Sequence, residues 1–113
     1  MFSKFKSEEL CNYFKEQVKN QNEEVKSYYQ KLDILSEKPY VVHKKTNQIT
    51  AVLRGKGVAI LDGESVEIEE NDVLLLSRNT KHSFASKSPE IELFHIHIPL
   101  HTIEEDREIL REN

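Results

Sequence analysis

Cysteine is nearly absent from this sequence, since Cys11 is the only one in 113 residues. A single thiol cannot form an intrachain disulfide, so the sequence predicts a protein of a reducing compartment. The N-terminal stretch MFSKFKSEEL lacks the apolar segment of a signal peptide. The longest apolar runs, VLLL and IHIPL, are far too short to cross a bilayer. Together these absences predict a soluble, cytoplasmic protein with no membrane partner.

A concentrated basic face is also missing. The chain has 16 Lys and Arg residues against 20 Asp and Glu residues, for a net charge of −4. Because the basic residues are scattered among acidic ones, nucleic acid is not expected as a partner. With 37% hydrophobic and 32% charged residues, the composition is that of a globular protein. The chain has no linker, low-complexity tract or repeat, which predicts a single domain over 1–113.

Glycine and proline are absent from the first part of the chain, because all three of each follow residue 35. Residues 1–35 are therefore predicted to form an extension with a helix and then a strand. The helix is expected to begin after Ser7, whose side chain can cap it, and to carry an apolar face. Cys11 lies beside this face and is interpreted as a small core residue. The segment YYQKLDIL alternates loosely and suggests the strand.

From residue 39 the pattern changes to short strands, and 39–99 is predicted to be the β core. The clearest signal is GVAILDGESVEIEE, where Asp62 and Gly63 between alternating strands predict a hairpin. Seven or eight strands about 8–12 residues apart predict an antiparallel sandwich or barrel. The acid-rich stretch that begins at Thr102 predicts a short C-terminal helix over 102–112.

Two segments, VLRGKGVAILDGE and NDVLLLSRNTKH, resemble motifs of the cupin superfamily of small jelly-roll barrels. The second motif of relatives usually reads Gly-Asp, an apolar strand, Pro-x-Gly and a histidine. Asp72 and His82 match it, while Asn71, Ser77 and Asn79 replace its other residues. Asparagine tolerates the left-handed backbone that glycine usually adopts. The resemblance implies a mainly β fold, an antiparallel jelly-roll (cupin) β-barrel with an N-terminal helix and a short C-terminal helix.

The first motif of metal-binding cupins carries His-x-His, then a glutamate, then a glycine. Counted back from Gly55, Gln48 takes the glutamate position, and His43 and Val41 take the histidine positions. The resemblance thus implies a pocket that binds a small molecule through His43, Gln48 and His82. It also implies that these three residues form a weak site for one divalent ion (Zn, Ni, Fe or Mn), or that metal is absent. The site is weak because glutamine is a neutral, poor metal ligand.

The strand LFHIHIPLH adds His95 and His97 on one face, with Phe94, Ile96 and Ile98 on the other. If the histidines point inward, they complete a site of three or four imidazoles, and His97 becomes an additional candidate metal ligand. A wholly apolar stripe usually takes the core. The expected orientation therefore places the histidines outside or at a subunit contact.

Three functions follow from the resemblance. The first is a metal-dependent enzyme, since cupins include dioxygenases, decarboxylases and sugar isomerases. The second is a metal-independent enzyme like the sugar isomerases and epimerases, with His43 or His82 as general base and an acidic partner that the sequence does not identify. The third is a non-catalytic ligand-binding or sensor module. Because the fold hosts all three, the sequence leaves open whether the chain is an enzyme.

The N-terminal extension is expected to wrap outside the barrel or to exchange with a second copy. Small cupins resemble one another in forming dimers through such added strands, and twofold pairs are the commonest assembly. The resemblance therefore implies a homodimer.

Overall fold

A computed structural model describes residues 1–20, 27–36, 39–98 and 106–110, which form one helix and ten strands. The helix α1 spans Glu8–Asn20. The strands are β1 (Phe2–Lys6), β2 (Ser27–Asp33), β3 (Tyr40–Val42), β4 (Asn47–Arg54), β5 (Lys56–Leu61), β6 (Glu64–Glu69), β7 (Asp72–Leu76), β8 (His82–Ser86), β9 (Glu90–Ile98) and β10 (Glu108–Leu110). No helix within these ranges is long and apolar enough to cross a membrane.

The strands form two five-stranded antiparallel sheets. Sheet I has the order β1-β7-β4-β9-β2, and sheet II has the order β10-β3-β8-β5-β6. Among the described strands, none of sheet I is hydrogen-bonded to a strand of sheet II. The fold is therefore mainly β as predicted, but it is two facing sheets, and the expected closed barrel is not formed by the described residues.

The main core lies between the inner faces of the two sheets. Strand alternation sends Val52 and Leu93 inward from sheet I, where they join Leu61 and Phe84 from sheet II in one buried cluster. Burial of such side chains is the dominant favourable contribution to folding, at roughly 25 cal/mol per Å² of apolar surface. The period-two pattern of the sequence is thus explained by inward-facing apolar positions.

The helix α1 packs on the outer face of sheet I. As predicted, Ser7 caps it, because the Ser7 Oγ accepts a hydrogen bond from the backbone N–H of Leu10 at 3.1 Å. Phe14 stacks on Phe94 of β9 with ring centroids 5.0 Å apart. Cys11 is fully buried in this second core and its pKa is raised by burial, which agrees with a packing role.

Left-handed backbone occurs at the turns that the sequence marked. Asp62 and Gly63 form the predicted hairpin turn with φ values of 51° and 84°. Asn71 and Asn79 have φ values of 73° and 70°, as expected for asparagines in place of glycine. The backbone N–H of Asn79 also donates to the carbonyl oxygen of His43 at 2.7 Å, so this turn is joined to the end of β3.

The C-terminal helix predicted over 102–112 is wrong for the residues described. Residues 108–110 are the strand β10, which pairs antiparallel with β3 and places Glu108 opposite Val42. The open edge of β3 offers backbone hydrogen bonds that outweigh the local helical preference of these residues. Residues 102–105 and 111–112 of that prediction lie outside the described residues.

The N-terminal extension divides between two locations. The helix α1 lies outside the sheets, as expected. The strand β2 instead pairs with β9 of the same chain along its whole length, from Ser27 opposite Ile96 to Asp33 opposite Glu90. Leu32 of β2 belongs to the core between the sheets. With β1 at the opposite side, the extension supplies both edge strands of sheet I.

Candidate functional site

A cavity of about 260 Å³ lies between the two sheets. It is lined by residues of β2, β3, β4, β8 and β9 and by Arg107, just before β10. Four buried histidines line it: His43, His82, His95 and His97. Burying an imidazole is costly unless its ring nitrogens are hydrogen-bonded, so the partners of each ring matter.

Two of the histidines come from sheet I. On adjacent strands, Gln48 of β4 lies opposite His97 of β9, and Thr50 lies opposite His95. His95 and His97 face inward because the other side of β9, with Phe94, is covered by α1. The expectation that the apolar stripe of β9 would take the inner core is therefore wrong. Phe94 and Ile96 of that stripe pack in the second core outside the sheet, and Ile98 is exposed.

The other two histidines come from sheet II. His82 begins β8, where it lies opposite Val41 of β3, and His43 follows β3 directly. The ring centroid of His43 lies 5.1 Å from that of His82 and 4.5 Å from that of His97. Gln48 lines the same cavity. The three residues predicted from the sequence, His43, Gln48 and His82, are thus brought together, with Val41 as an apolar wall.

Backbone carbonyl groups fix the tautomers of His43 and His82. The Nδ1–H of His43 donates to the carbonyl oxygen of Asp106, and the Nδ1–H of His82 donates to that of Thr80 at 3.0 Å. A carbonyl oxygen only accepts, so Nδ1 carries the proton in each ring. In the neutral rings, Nε2 therefore holds a lone pair and is a hydrogen-bond acceptor.

His95 is held on both sides of its ring. Its Nε2–H donates to Gln30 Oε1 at 2.8 Å, and its Nδ1 accepts from the Thr50 hydroxyl at 2.8 Å. The Nε2 of Gln48 donates to the Thr50 Oγ1 at 2.7 Å and lies 3.1 Å from the His95 Nδ1. Among the described residues, the buried Oε1 of Gln48 has no hydrogen-bond partner. His95 is therefore a fixed part of the cavity wall, whereas the Oε1 of Gln48 is available to accept a hydrogen bond.

Burial keeps two of the imidazoles uncharged at neutral pH. Desolvation, reinforced by the neighbouring imidazoles, lowers the pKa of His95 to about 3. Desolvation also lowers the pKa of His82 to about 4, helped by His43, His97 and Arg107 and opposed by the hydrogen bond to Thr80. Both side chains are therefore neutral hydrogen-bonding groups, with little tendency to take up a proton at pH 7.

Asp106, just before β10, joins this end of the chain to the loop after β3. Its carboxylate accepts hydrogen bonds from the backbone N–H groups of Lys44 and Lys45, at 3.0 and 2.9 Å, and from the Thr46 hydroxyl at 2.7 Å. Burial raises the pKa of the Asp106 carboxyl group, but these hydrogen bonds lower it more, so the net pKa is lowered. Asp106 therefore fixes both the loop after β3 and the tautomer of His43.

Sequence reasoning missed several residues that build the site: Tyr28, Gln30, Thr50, Asp106 and Arg107. The alternation of Tyr28, Gln30 and Leu32 along β2 was a usable signal, because all three line the cavity. Asp106 and Arg107 gave no signal, since they lie in an acid-rich stretch with a helical pattern. Their roles depend on the pairing of β10 with β3.

The implied metal can be tested against these side chains. The tautomers of His43 and His82 are those that metal ligands adopt, with Nδ1–H given to a carbonyl group. However, the described residues contain no group of three or more His, Cys, Asp or Glu arranged to hold a metal ion. Gln48 contributes no charge, and His97 does not complete a three-imidazole site. The described side chains therefore do not fit a metal centre with three or more such ligands.

Comparison with known proteins agrees with this architecture. No curated protein matches the chain. A cupin protein from Bacteroides fragilis is 27% identical, with a TM-score of 0.57 over 63% of this chain and 62% of that one. Salicylate 1,2-dioxygenase from Pseudoaminobacter salicylatoxidans, as a variant in complex with gentisate, is 16% identical, with a TM-score of 0.64 over 76% of this chain. A variant of Streptomyces PAC13 with uridine is 22% identical, with a TM-score of 0.56 over 75% of this chain and 68% of that one.

The likeness to the last two proteins lies in the fold. The match spans less than two thirds of the Bacteroides protein and 24% of the dioxygenase. The cupin domain family matches residues 34–98, which include the strands β3 to β9, all four cavity histidines and Gln48. Since this match covers more than half of the sequence, the chain belongs to the cupin domain family.

Proposed function

We propose that the chain binds a small molecule in the cavity between the sheets, with His43, His82 and Gln48 as hydrogen-bond acceptors. The observation that carries the proposal is the shared tautomer of His43 and His82, whose Nδ1–H groups are both engaged by backbone carbonyls. The Nε2 atoms then accept, and the Oε1 of Gln48 adds a third acceptor without a partner among the described residues. Such a set favours a ligand with O–H or N–H donors.

The size of the cavity supports a ligand with one ring. A dry cavity of about 150 Å³ accommodates benzene in another protein. The space here is about 260 Å³, which leaves room for polar substituents. The related dioxygenase structure contains gentisate, and the PAC13 structure contains uridine. By analogy with these fold relatives, we propose ring-containing metabolites as the ligand class.

A metal-independent isomerase or epimerase has less support than a binding role. Such an enzyme needs a base with a pKa near the working pH and a proton donor beside it. The pKa of His82 is lowered to about 4, far from this range. Among the described residues that line the cavity, none is an aspartate or glutamate. A turnover assay with aldose and ketose sugars tests this alternative, and we expect no conversion above the rate without protein.

The binding proposal is tested with variants that remove only the acceptor nitrogen. In His82→Asn and His43→Asn, the amide nitrogen takes the place of Nδ1 and keeps the bond to the backbone carbonyl, while Nε2 is lost. Lys81→Asn, at an exposed neighbouring position, is the matched control. Binding of a library of monocyclic fragments is measured by ligand-detected NMR.

We expect fragments with O–H or N–H donors to bind the wild type and the Lys81→Asn control alike. Affinity should fall about tenfold in each histidine variant, the effect of one lost hydrogen bond of about 1.4 kcal/mol. If no fragment binds the wild-type protein, or if all three variants bind equally well, the cavity is not a ligand site of this kind.

We propose further that these residues have at most a weak affinity for a divalent ion such as Zn, Ni, Fe or Mn, because two imidazoles and a neutral amide provide no charge compensation. Elemental analysis of protein purified without a His-tag, before and after dialysis against a chelator, tests this expectation. Metal at one ion per chain that survives dialysis and is lost in His82→Asn would contradict it.

A further inference from the structure

The charge pattern of the cavity differs from that of the whole chain. The protein has a net charge of −4 with 20 acidic residues. Among the described residues, however, the cavity lining contains Arg107 as its one permanently charged side chain and no carboxylate. From this lining, and resting on the proposed binding function, we propose that the ligand is a small organic anion whose carboxylate or phosphate group pairs with Arg107.

The position of Arg107 supports this role. Its neighbours in sequence are both tied to the loop and strand beside the cavity: Asp106 holds the loop after β3, and Glu108 pairs with Val42 of β3. The side chain of Arg107 lines the cavity, and its charge is close enough to lower the pKa of His82. No described carboxylate forms an ion pair with it, in contrast to Arg54, which pairs with Glu92. Arg107 is therefore a guanidinium available to an incoming anion.

Three other lining side chains constrain the rest of the ligand. The Nε2 atoms of His43 and His82 and the Oε1 of Gln48 accept hydrogen bonds and repel a second anionic group. The ligand therefore needs its charge at Arg107 and a hydroxyl or N–H group toward the imidazoles. Phe84 and Val41 supply apolar wall in the same cavity. A hydroxylated ring acid or a ring phosphate matches this arrangement.

Three probes of similar shape distinguish recognition of the anionic group from binding of the ring. They are 4-hydroxybenzoate, phenyl phosphate and the neutral 4-hydroxybenzamide. Affinities are measured by NMR titration at neutral pH for the wild type, Arg107→Gln, Arg107→Lys and Arg78→Gln. Arg78 is exposed and does not line the cavity, so Arg78→Gln makes the same charge change elsewhere. Thermal denaturation of each variant confirms that it is folded.

We expect the wild type to bind at least one anionic probe about tenfold or more tightly than the neutral amide, as charge-assisted hydrogen bonds are roughly twice as strong as neutral ones. Arg107→Gln should remove this preference, Arg107→Lys should keep part of it, and Arg78→Gln should leave it unchanged. Tighter binding of the benzoate identifies a carboxylate ligand, and tighter binding of phenyl phosphate identifies a phosphate ligand.

Two results would overturn the inference. If the amide binds as tightly as both anions, or if Arg107→Gln and Arg78→Gln have the same effect, the ligand is not recognised as an anion, although the cavity remains a binding site. If none of the probes binds and the imidazole signals do not move, the anion inference fails, and the fragment library then decides separately whether the cavity binds any ligand.

Discussion

The contacts of the two ring nitrogens decide what each cavity histidine can do. His95 uses both nitrogens for Gln30 and Thr50, so its ring is a fixed part of the wall. His43 and His82 each use Nδ1 for a backbone carbonyl and keep Nε2 for another partner. Histidine therefore has a structural role at position 95, while at positions 43 and 82 its Nε2 is available to a ligand. A substitution at 43 or 82 must remove Nε2 and keep the hydrogen bond of Nδ1.

The lowered pKa values of His82 and His95 lead to a direct prediction. An exposed imidazole titrates near pH 6.5. We expect the ring protons of His82 and His95 to show no titration between pH 7.5 and pH 5, because burial lowers their pKa values to about 4 and about 3. The measurement is a proton and nitrogen NMR titration of the imidazole rings. A midpoint near pH 6.5 for either ring would show that its environment is wetter than described.

The left-handed residue Asn79 leads to a second prediction. A left-handed conformation costs a residue with a Cβ roughly 1–2 kcal/mol, and asparagine less than most. The φ of Asn79 is 70° and its side chain is exposed. We expect Asn79→Ala to lower the free energy of unfolding by about 1 kcal/mol and Asn79→Gly to leave it nearly unchanged. Urea denaturation of both variants measures this, and equal losses would mean that the side chain, and not the backbone, matters.

Among the helices and strands, sequence pattern predicted those segments whose local preference agrees with their tertiary pairing. The cap at Ser7, the hairpin at Asp62 and the strands β2 to β9 follow from propensity and periodicity, whereas β1 was not predicted. The strand β10 does not, because its residues form a strand by pairing with β3 and not through their own preference. The orientation of β9 also needed tertiary information, since α1 covers its outer face.

The same reasoning explains which part of the site could be predicted. His43, Gln48 and His82 lie within motif segments, so their positions along the chain located them. His95 and His97 were ambiguous because either face of β9 can be buried once a helix covers the sheet. Asp106 and Arg107 reach the cavity through a pairing between strands that are more than 60 residues apart, which no local pattern encodes.

The anchoring of β10 by Asp106 leads to a third prediction. In Asp106→Asn, one acceptor oxygen becomes an NH₂ group that faces backbone donors, and the charge is lost. We expect the free energy of unfolding to fall by about 2–3 kcal/mol at pH 7, the range for hydrogen bonds to buried charged groups. Glu108→Gln is the matched control, since Glu108 forms an exposed ion pair with Lys44, and its loss should change stability little.

Urea denaturation at pH 7 measures both variants. Because the pKa of Asp106 is lowered in the folded state, its contribution is present above the unfolded pKa near 3.8 and is lost as the pH falls below that value. The difference between wild type and Asp106→Asn should therefore be constant from pH 7 to pH 5. Equal effects of the two substitutions would show that Asp106 is not an anchor.

For the whole molecule, the buried imidazoles make stability depend on pH in a defined window. In the unfolded chain His82 and His95 take up protons near pH 6.5, whereas the folded pKa values are about 4 and about 3. Between these limits the unfolded state binds more protons, so acidification favours unfolding. The free energy of unfolding should be highest above pH 6.5 and should fall by roughly 2–4 kcal/mol between pH 7.5 and pH 5. Urea denaturation across this range tests the expectation, and an unchanged midpoint would contradict it.

The homodimer implied by the resemblance remains a prediction, and the edge of sheet I gives it a testable form. The strand β2 has no described strand on its outer side, and Leu35 just beyond it is 92% exposed. Open strand edges and exposed apolar side chains favour association, most often as twofold pairs. We expect light scattering to give about 26 kDa, twice the chain mass of 13.2 kDa. Leu35→Lys should weaken the dimer, whereas Tyr13→Lys, at an exposed apolar position on α1 and away from any strand edge, should not. A mass of one chain at all concentrations would show that these edges stay free.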